Sequence, residues 1–95
     1  MKIFHYDNLY AAAEFFGLEL QMDKLVEELG ELLTLVGRMN TERVVKSDDL
    51  ESEIADVYNM LDQICILMDC EERVQNLAEQ KMKRVCEKIE RAREG

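Results

Sequence analysis

Carboxylates at three- and four-residue spacing are the feature of this sequence most able to do chemistry. Glu27, Glu28 and Glu31 stand in one segment, and Glu53 and Asp56 in another. On a helix, residues three or four apart share a face. Glu28 and Glu31 therefore point the same way, with Glu27 within reach of Glu31, and Glu53 and Asp56 do likewise. If the two faces oppose each other, four carboxylates converge into the hard oxygen environment that magnesium or manganese selects. Without a cation such a cluster repels itself. Spacing alone is weak evidence, because Asp48/Glu51, Asp69/Glu72 and Glu87/Glu90 repeat it, and most such pairs are solvated helix faces. Context separates the two chosen pairs. Glu28 and Glu31 lie among leucines, and Asp56 sits between Ala55 and Val57 in the most apolar segment, where a buried carboxylate needs a partner. Lys24 and Arg38 are the only cations between Leu20 and Asn40, so a divalent metal is the economical partner.

The overall charge leads to the same cofactor. The formal charge is −9, with 21 acidic residues spread along the chain, which argues against binding a nucleic-acid polymer. An acidic protein acting on a phosphate substrate needs a cation between the two like charges. The three cysteines, Cys65, Cys70 and Cys86, form no C-x-x-C pair; they read as reduced thiols rather than a disulfide framework or a zinc site. Polar Asp7 and Asn8 interrupt the N-terminal segment before any apolar run suited to a signal peptide, and no segment approaches membrane-spanning length. A cytoplasmic location and no membrane partner are expected.

Positioning these carboxylates requires helices. With no proline and four glycines in 95 residues, the composition suits an all-α fold in a single domain. Asp7 can cap a first short helix through Leu9–Phe16, which Gly17 ends. Met22, Leu25, Val26, Leu29, Leu32, Leu33 and Val36 recur at helical steps and predict a second helix from about Leu20 to Met39. Asn40 to Ser47, with Val44 and Val45, has no sustained period and reads as a loop able to lie over a site. Asp48 with Glu51 resembles a capping box opening a third helix through Met68. Its spine is Leu50, Ile54, Val57, Leu61, Ile64 and Leu67, and its broad apolar character suits a central position. Asp69 with Glu72 repeats that pattern before a fourth helix with a basic end. The expected architecture is a four-helix bundle. A hydrophobic content of 47% in so short a chain implies that a second copy completes it, as a homodimer or homotetramer.

The string Glu27-Glu28-Leu29-Gly30-Glu31-Leu32, followed by Glu53-Ile54-Ala55-Asp56-Val57, resembles the E-E-x-x-E and E-x-x-D motif pair of MazG-like nucleoside triphosphate pyrophosphohydrolases. The resemblance extends over most of the chain. It includes Phe16-Gly17, Gln21, the Leu61-Asp62-Gln63-Ile64 continuation and a final helix with Lys81 and Arg84. It implies the all-α fold of that superfamily and a magnesium-dependent cleavage of a nucleoside triphosphate, between its α and β phosphates, into a nucleoside monophosphate and pyrophosphate. Residue by residue, it implies metal binding by Glu28, Glu31, Glu53 and Asp56, with manganese an alternative ion. Glu27 matches a glutamate that orients the attacking water or supports the metal ligands. Lys81 and Arg84 resemble a phosphate-contacting basic pair, and Val85 stands where some relatives carry asparagine.

Other candidates have plainer readings beside the functional one. Gln21 and Asn59 can contact sugar or base, or equally make interhelix hydrogen bonds. Phe4, Tyr6, Tyr10, Phe15 and Phe16 suit core or interface packing better than a base-stacking wall. His5, the only histidine, reads as a surface residue, and the lack of Glu-x-x-His motifs excludes a di-iron bundle. Two other functions compete. One is hydrolysis of phosphoribosyl-ATP, whose enzymes often carry histidine where Asn59 stands. The other is a noncatalytic helical module whose apolar faces serve only oligomerisation.

Overall fold

The computed structural model describes residues 5–43 and 47–95. They form three helices, α1 (Tyr6–Glu42), α2 (Ser47–Leu67) and α3 (Glu71–Glu94), and no strands. The all-α expectation is met, but the four-helix bundle is not formed by the described residues. The expected first and second helices are two arms of α1, bent at Gly17. Gly17 has the positive φ expected of a helix-ending glycine, 83°, with ψ 167°, a backbone conformation essentially confined to glycine. The backbone leaves the helical region at Gly17, where the sequence placed the ending, and a second helical arm begins at once, so the break stands as a kink within α1. The far end of α1 closes three residues into the predicted loop, where Arg43 takes a left-handed φ of 60° and donates its N–H to Met39 O at 2.9 Å. The rest of that loop, including Val44 and Val45, lies outside the described residues, as does Phe4 of the aromatic set.

The α2–α3 corner departs from its predicted capping. Asp69 does not cap α3; it takes a left-handed φ of 51° and closes α2 instead. The Asp69 N–H donates to Ile66 O at 3.2 Å and the Cys70 N–H to Cys65 O at 3.0 Å, the paired bonds of a Schellman cap. Aspartate tolerates the left-handed region better than most residues, which is why it can serve here. The apolar contact that usually accompanies this cap joins two thiols. Burial, with the neighbouring Cys70, pushes the Cys65 thiol up to about 11. At the start of α2, Ser47 Oγ donates to Glu51 Oε2 at 2.8 Å within the first turn, and Asp48 lies inside the helix rather than capping it.

Packing is concentrated between α1 and α2, while α3 meets α2 only slightly and touches α1 only at its start, where the Tyr6 side chain lies against the Glu71 carboxylate. Among the described residues the buried apolar ones are Leu9, Ala13, Val57 and Met60, and four polar ones are buried beside them: Gln21, Glu28, Asp62 and Gln63. Gln21 Nε2 donates to Gln63 Oε1 at 2.6 Å, and Gln63 Nε2 donates to Asn59 O at 3.1 Å. Burial pushes the Asp62 carboxyl above its ordinary value, with His5 opposing. Much of the predicted spine remains open to solvent: Val26 is 71% exposed, Leu33 74% and Phe15 82%. Phe15 stacks edge-on against Phe16 at 4.9 Å, so this aromatic pair lies on the surface rather than in a core. No residue of α3 is buried, although Val74, Leu77, Met82, Val85 and Ile89 are apolar. Among the described residues no helix is long and apolar enough to cross a membrane.

The Gln21–Gln63 bond is the one buried side-chain hydrogen bond joining α1 to α2 among the described residues. Gln21→Ala leaves Gln63 Oε1 buried without its donor, at a cost of roughly 1–3 kcal/mol. Thermal unfolding should show a lowered Tm, and Gln21→Leu combined with Gln63→Leu should recover most of the loss. Equal stability of Gln21→Ala and the native chain would show that the bond does not hold the interface.

Candidate metal centre

The hydrogen bond between Gln21 and Gln63 marks the antiparallel register of α1 and α2. Two helical turns forward from Gln21 lies Glu28, and two turns back from Gln63 lies Asp56. Three residues further along each helix are Glu31 and Glu53. The structure brings these four carboxylates together, with one oxygen of each lying within 4.8 Å of all the others. Opposite ligands of an octahedral magnesium are about 4.2 Å apart, so small side-chain rotations close the gap.

Burial is graded across the cluster. Glu28 is buried, Glu53 half-buried, and Glu31 and Asp56 are exposed. The leucine context therefore signalled burial correctly for Glu28 but not for Glu31. Lys24 Nζ lies 3.2 Å from Glu28 Oε1 and 3.6 Å from Glu27 Oε1, so one lysine of α1 supplies part of the charge balance that the sequence assigned to metal alone. It leaves the inner oxygens unmatched: Glu28 Oε2 and Glu53 Oε2 are buried without a hydrogen-bond partner among the described residues. Buried acceptors normally find a partner, and two orphaned carboxylate oxygens in one cluster are costly. The charge of Glu28, then partial desolvation and the charges of Glu53 and Glu27, hold the Glu31 carboxyl above its ordinary 4.5. These observations fit a hard divalent cation held by Glu28, Glu31, Glu53 and Asp56.

The remaining candidates fall in different places. Glu27 is exposed beside the cluster and lines a groove of about 560 Å³ with Gly30, Glu31, Arg38, Ser52 and Glu53. Gln21 is spent on Gln63. Asn59 is exposed on α2, offering its backbone carbonyl to Gln63. Lys81 and Arg84 lie exposed on α3, which does not pack on α1, so a single chain does not carry them to the carboxylates through helix packing. Sequence reasoning passed over the groove residues Thr34 and Arg38. The four- and three-residue steps from Glu27 through Glu31 and Thr34 to Arg38 place all four on one face, and that stripe was available as a signal.

Comparison with models of protein families, with curated proteins and with solved structures finds no match to this chain.

The raised Glu31 carboxyl has a definite pH consequence. Its proton is held more tightly in the folded chain than in the unfolded one. Without a metal, this group's destabilisation is fully present at neutral pH and is relieved as pH falls through the raised value toward 4.5. Glu31→Gln should therefore raise the metal-free Tm at pH 7–8 and flatten its rise on mild acidification. In the native chain millimolar Mn²⁺ should raise the neutral-pH Tm, on the order of 5–10 °C at saturating ion, and Glu31→Gln should largely abolish that gain. A lowered metal-free Tm in Glu31→Gln would contradict the repulsion argument.

Proposed function

We propose that this chain is a magnesium-dependent nucleoside triphosphate pyrophosphohydrolase of the MazG-like type, cleaving between the α and β phosphates to release a nucleoside monophosphate and pyrophosphate. The observation that carries this reading is the convergence of Glu28, Glu31, Glu53 and Asp56, with buried Glu28 Oε2 and Glu53 Oε2 lacking any partner. The motif strings around those residues support it.

Bound there, a divalent ion supplies charge neutralisation of the phosphates and acidifies a water. Glu28 and Glu53 would hold the ion from the buried side, and Glu31 and Asp56 from the solvent side. Glu27 stands at the groove edge with only a 3.6 Å ion pair to Lys24, placed to accept a proton from, or orient, the attacking water. Its chemistry requires no nucleophilic side chain. The noncatalytic alternative explains the exposed apolar faces but not the two orphaned buried oxygens, so the enzyme is the better reading.

The functional form is a homo-oligomer in this proposal. The chain exposes 7700 Å², against about 5,700 Å² for a compact monomer of this mass. Its radius of gyration is 16.6 Å, against about 12 Å for a compact domain of this length. The excess, about 2,000 Å² per chain, falls in the range of obligate interfaces. A second copy would cover the apolar residues of α3 and complete a four-helix bundle. It would also offer a route for Lys81 and Arg84 to a neighbouring phosphate site.

Two measurements test the proposal. Light scattering should give a dimer or tetramer mass, and a monomer at micromolar concentration would reject the assembly. Pyrophosphate release from a panel of ribo- and deoxyribonucleoside triphosphates with Mg²⁺ should be seen with the native chain. It should fall by a factor on the order of 10² or more in Glu53→Gln and Asp56→Asn, with helix content kept by circular dichroism. If no triphosphate is cleaved and Mg²⁺ leaves stability unchanged, the hydrolase reading is wrong; phosphoribosyl-ATP is the next substrate to try.

A further inference from the structure

The groove beside the carboxylate cluster runs away from it along α1 and α2. Glu27, Glu31, Asp49 and Glu53 give its walls negative charge, and Arg38 is the one cation among the described residues that line it. Arg38 stands seven residues beyond Glu31, roughly 10 Å along the helix axis at 1.5 Å per residue. Side chains on a helix lean toward its N-terminus, so a guanidinium at position 38 can swing back toward the carboxylates. In the structure its only partner among the described residues is Glu42, with Nε 3.6 Å from Oε1, and both side chains are more than half exposed. Such a pair between successive helical turns is worth little and yields easily to a stronger anion. The terminal guanidinium nitrogens keep their donors for a ligand. Lys24, the other cation near the cluster, is already engaged with Glu27 and Glu28.

We infer that Arg38 is an anion clamp: it binds the far, β/γ end of a triphosphate whose reacting end sits at the carboxylate cluster, and so holds the leaving pyrophosphate. The assignment rests on the hydrolase reading above for its substrate and goes beyond it in orienting that substrate. An acidic groove repels phosphate everywhere except at a metal held by the cluster and at Arg38. The phosphate chain therefore lies between those two points, with the nucleoside directed away from the Arg38 end. Planar guanidinium suits this task because its fork of donors matches two phosphate oxygens at once.

The test is calorimetric binding of pyrophosphate in the presence of Mg²⁺ to native chain, Arg38→Ala and Arg38→Lys, with Mn²⁺ binding alone as a control on the cluster. Circular dichroism checks the fold, which the exposed position of Arg38 should leave intact. Arg38→Ala should weaken pyrophosphate binding by roughly tenfold or more, Arg38→Lys should recover only part of it, and Mn²⁺ affinity should stay within about twofold. If the native chain cleaves triphosphates but pyrophosphate binds Arg38→Ala as tightly as native, the clamp is rejected and the hydrolase stands. If pyrophosphate binding depends on Arg38 while no triphosphate is cleaved, the anion site is upheld and the reaction assignment falls. If pyrophosphate does not bind the native chain at all, the clamp is rejected.

Discussion

The antiparallel register of α1 against α2 is the constraint on which the rest of this structure depends. It is anchored by the Gln21–Gln63 hydrogen bond, in an interface that buries as many polar residues as apolar ones. A purely apolar seam tolerates sliding, because one leucine substitutes for another with little loss. A buried amide pair does not, because displacement by a turn leaves a donor and an acceptor unmatched in a low-dielectric setting. With these glutamines paired, Glu28 meets Asp56 and Glu31 meets Glu53 at the same helical level.

That alignment sets the packing preference of the interface against its electrostatics. Four carboxylates come within a few ångströms of one another, and a single lysine, Lys24, offsets part of the charge on Glu28. The raised Glu31 carboxyl and the orphaned oxygens of Glu28 and Glu53 are three expressions of that imbalance. With Leu9, Ala13, Val57 and Met60 the buried apolar residues among those described, stability available to offset the repulsion is small. A ligand that binds the folded chain at this point therefore changes both stability and chemistry together. The same shortage of internal packing leaves α3 with its apolar residues in solvent.

Several elements were legible in the residues themselves. The helical steps of Met22 through Val36 and of Leu50 through Leu67 mark the two long helices, because a periodicity near 3.6 residues has one structural meaning over that length. The carboxylate pairs were also legible, since three-residue spacing on a helix determines a shared face without reference to anything distant. Capping was less so. Asp69 is chemically suited both to open a helix and to occupy a left-handed closing position, and the choice depends on where the preceding helix stops. Gly17 was the plainer case: its non-helical backbone breaks the helix where the sequence placed the ending, and the long apolar run that follows starts the second arm at once.

By itself, then, the sequence determined the helical character of the chain, the position of its two best-formed helices and the face on which each carboxylate pair stands, because these follow from local geometry and nearest-neighbour spacing. Only the tertiary structure decided that the pairs meet, that Gln21 is committed to Gln63, and that Arg38 shares a groove with the cluster. It likewise decided that α3 stands away from α1 and that Glu28 is buried while Glu31 is not. Each of these depends on the relative register and orientation of two helices, which arise from the sum of many weak contacts between residues far apart in the chain.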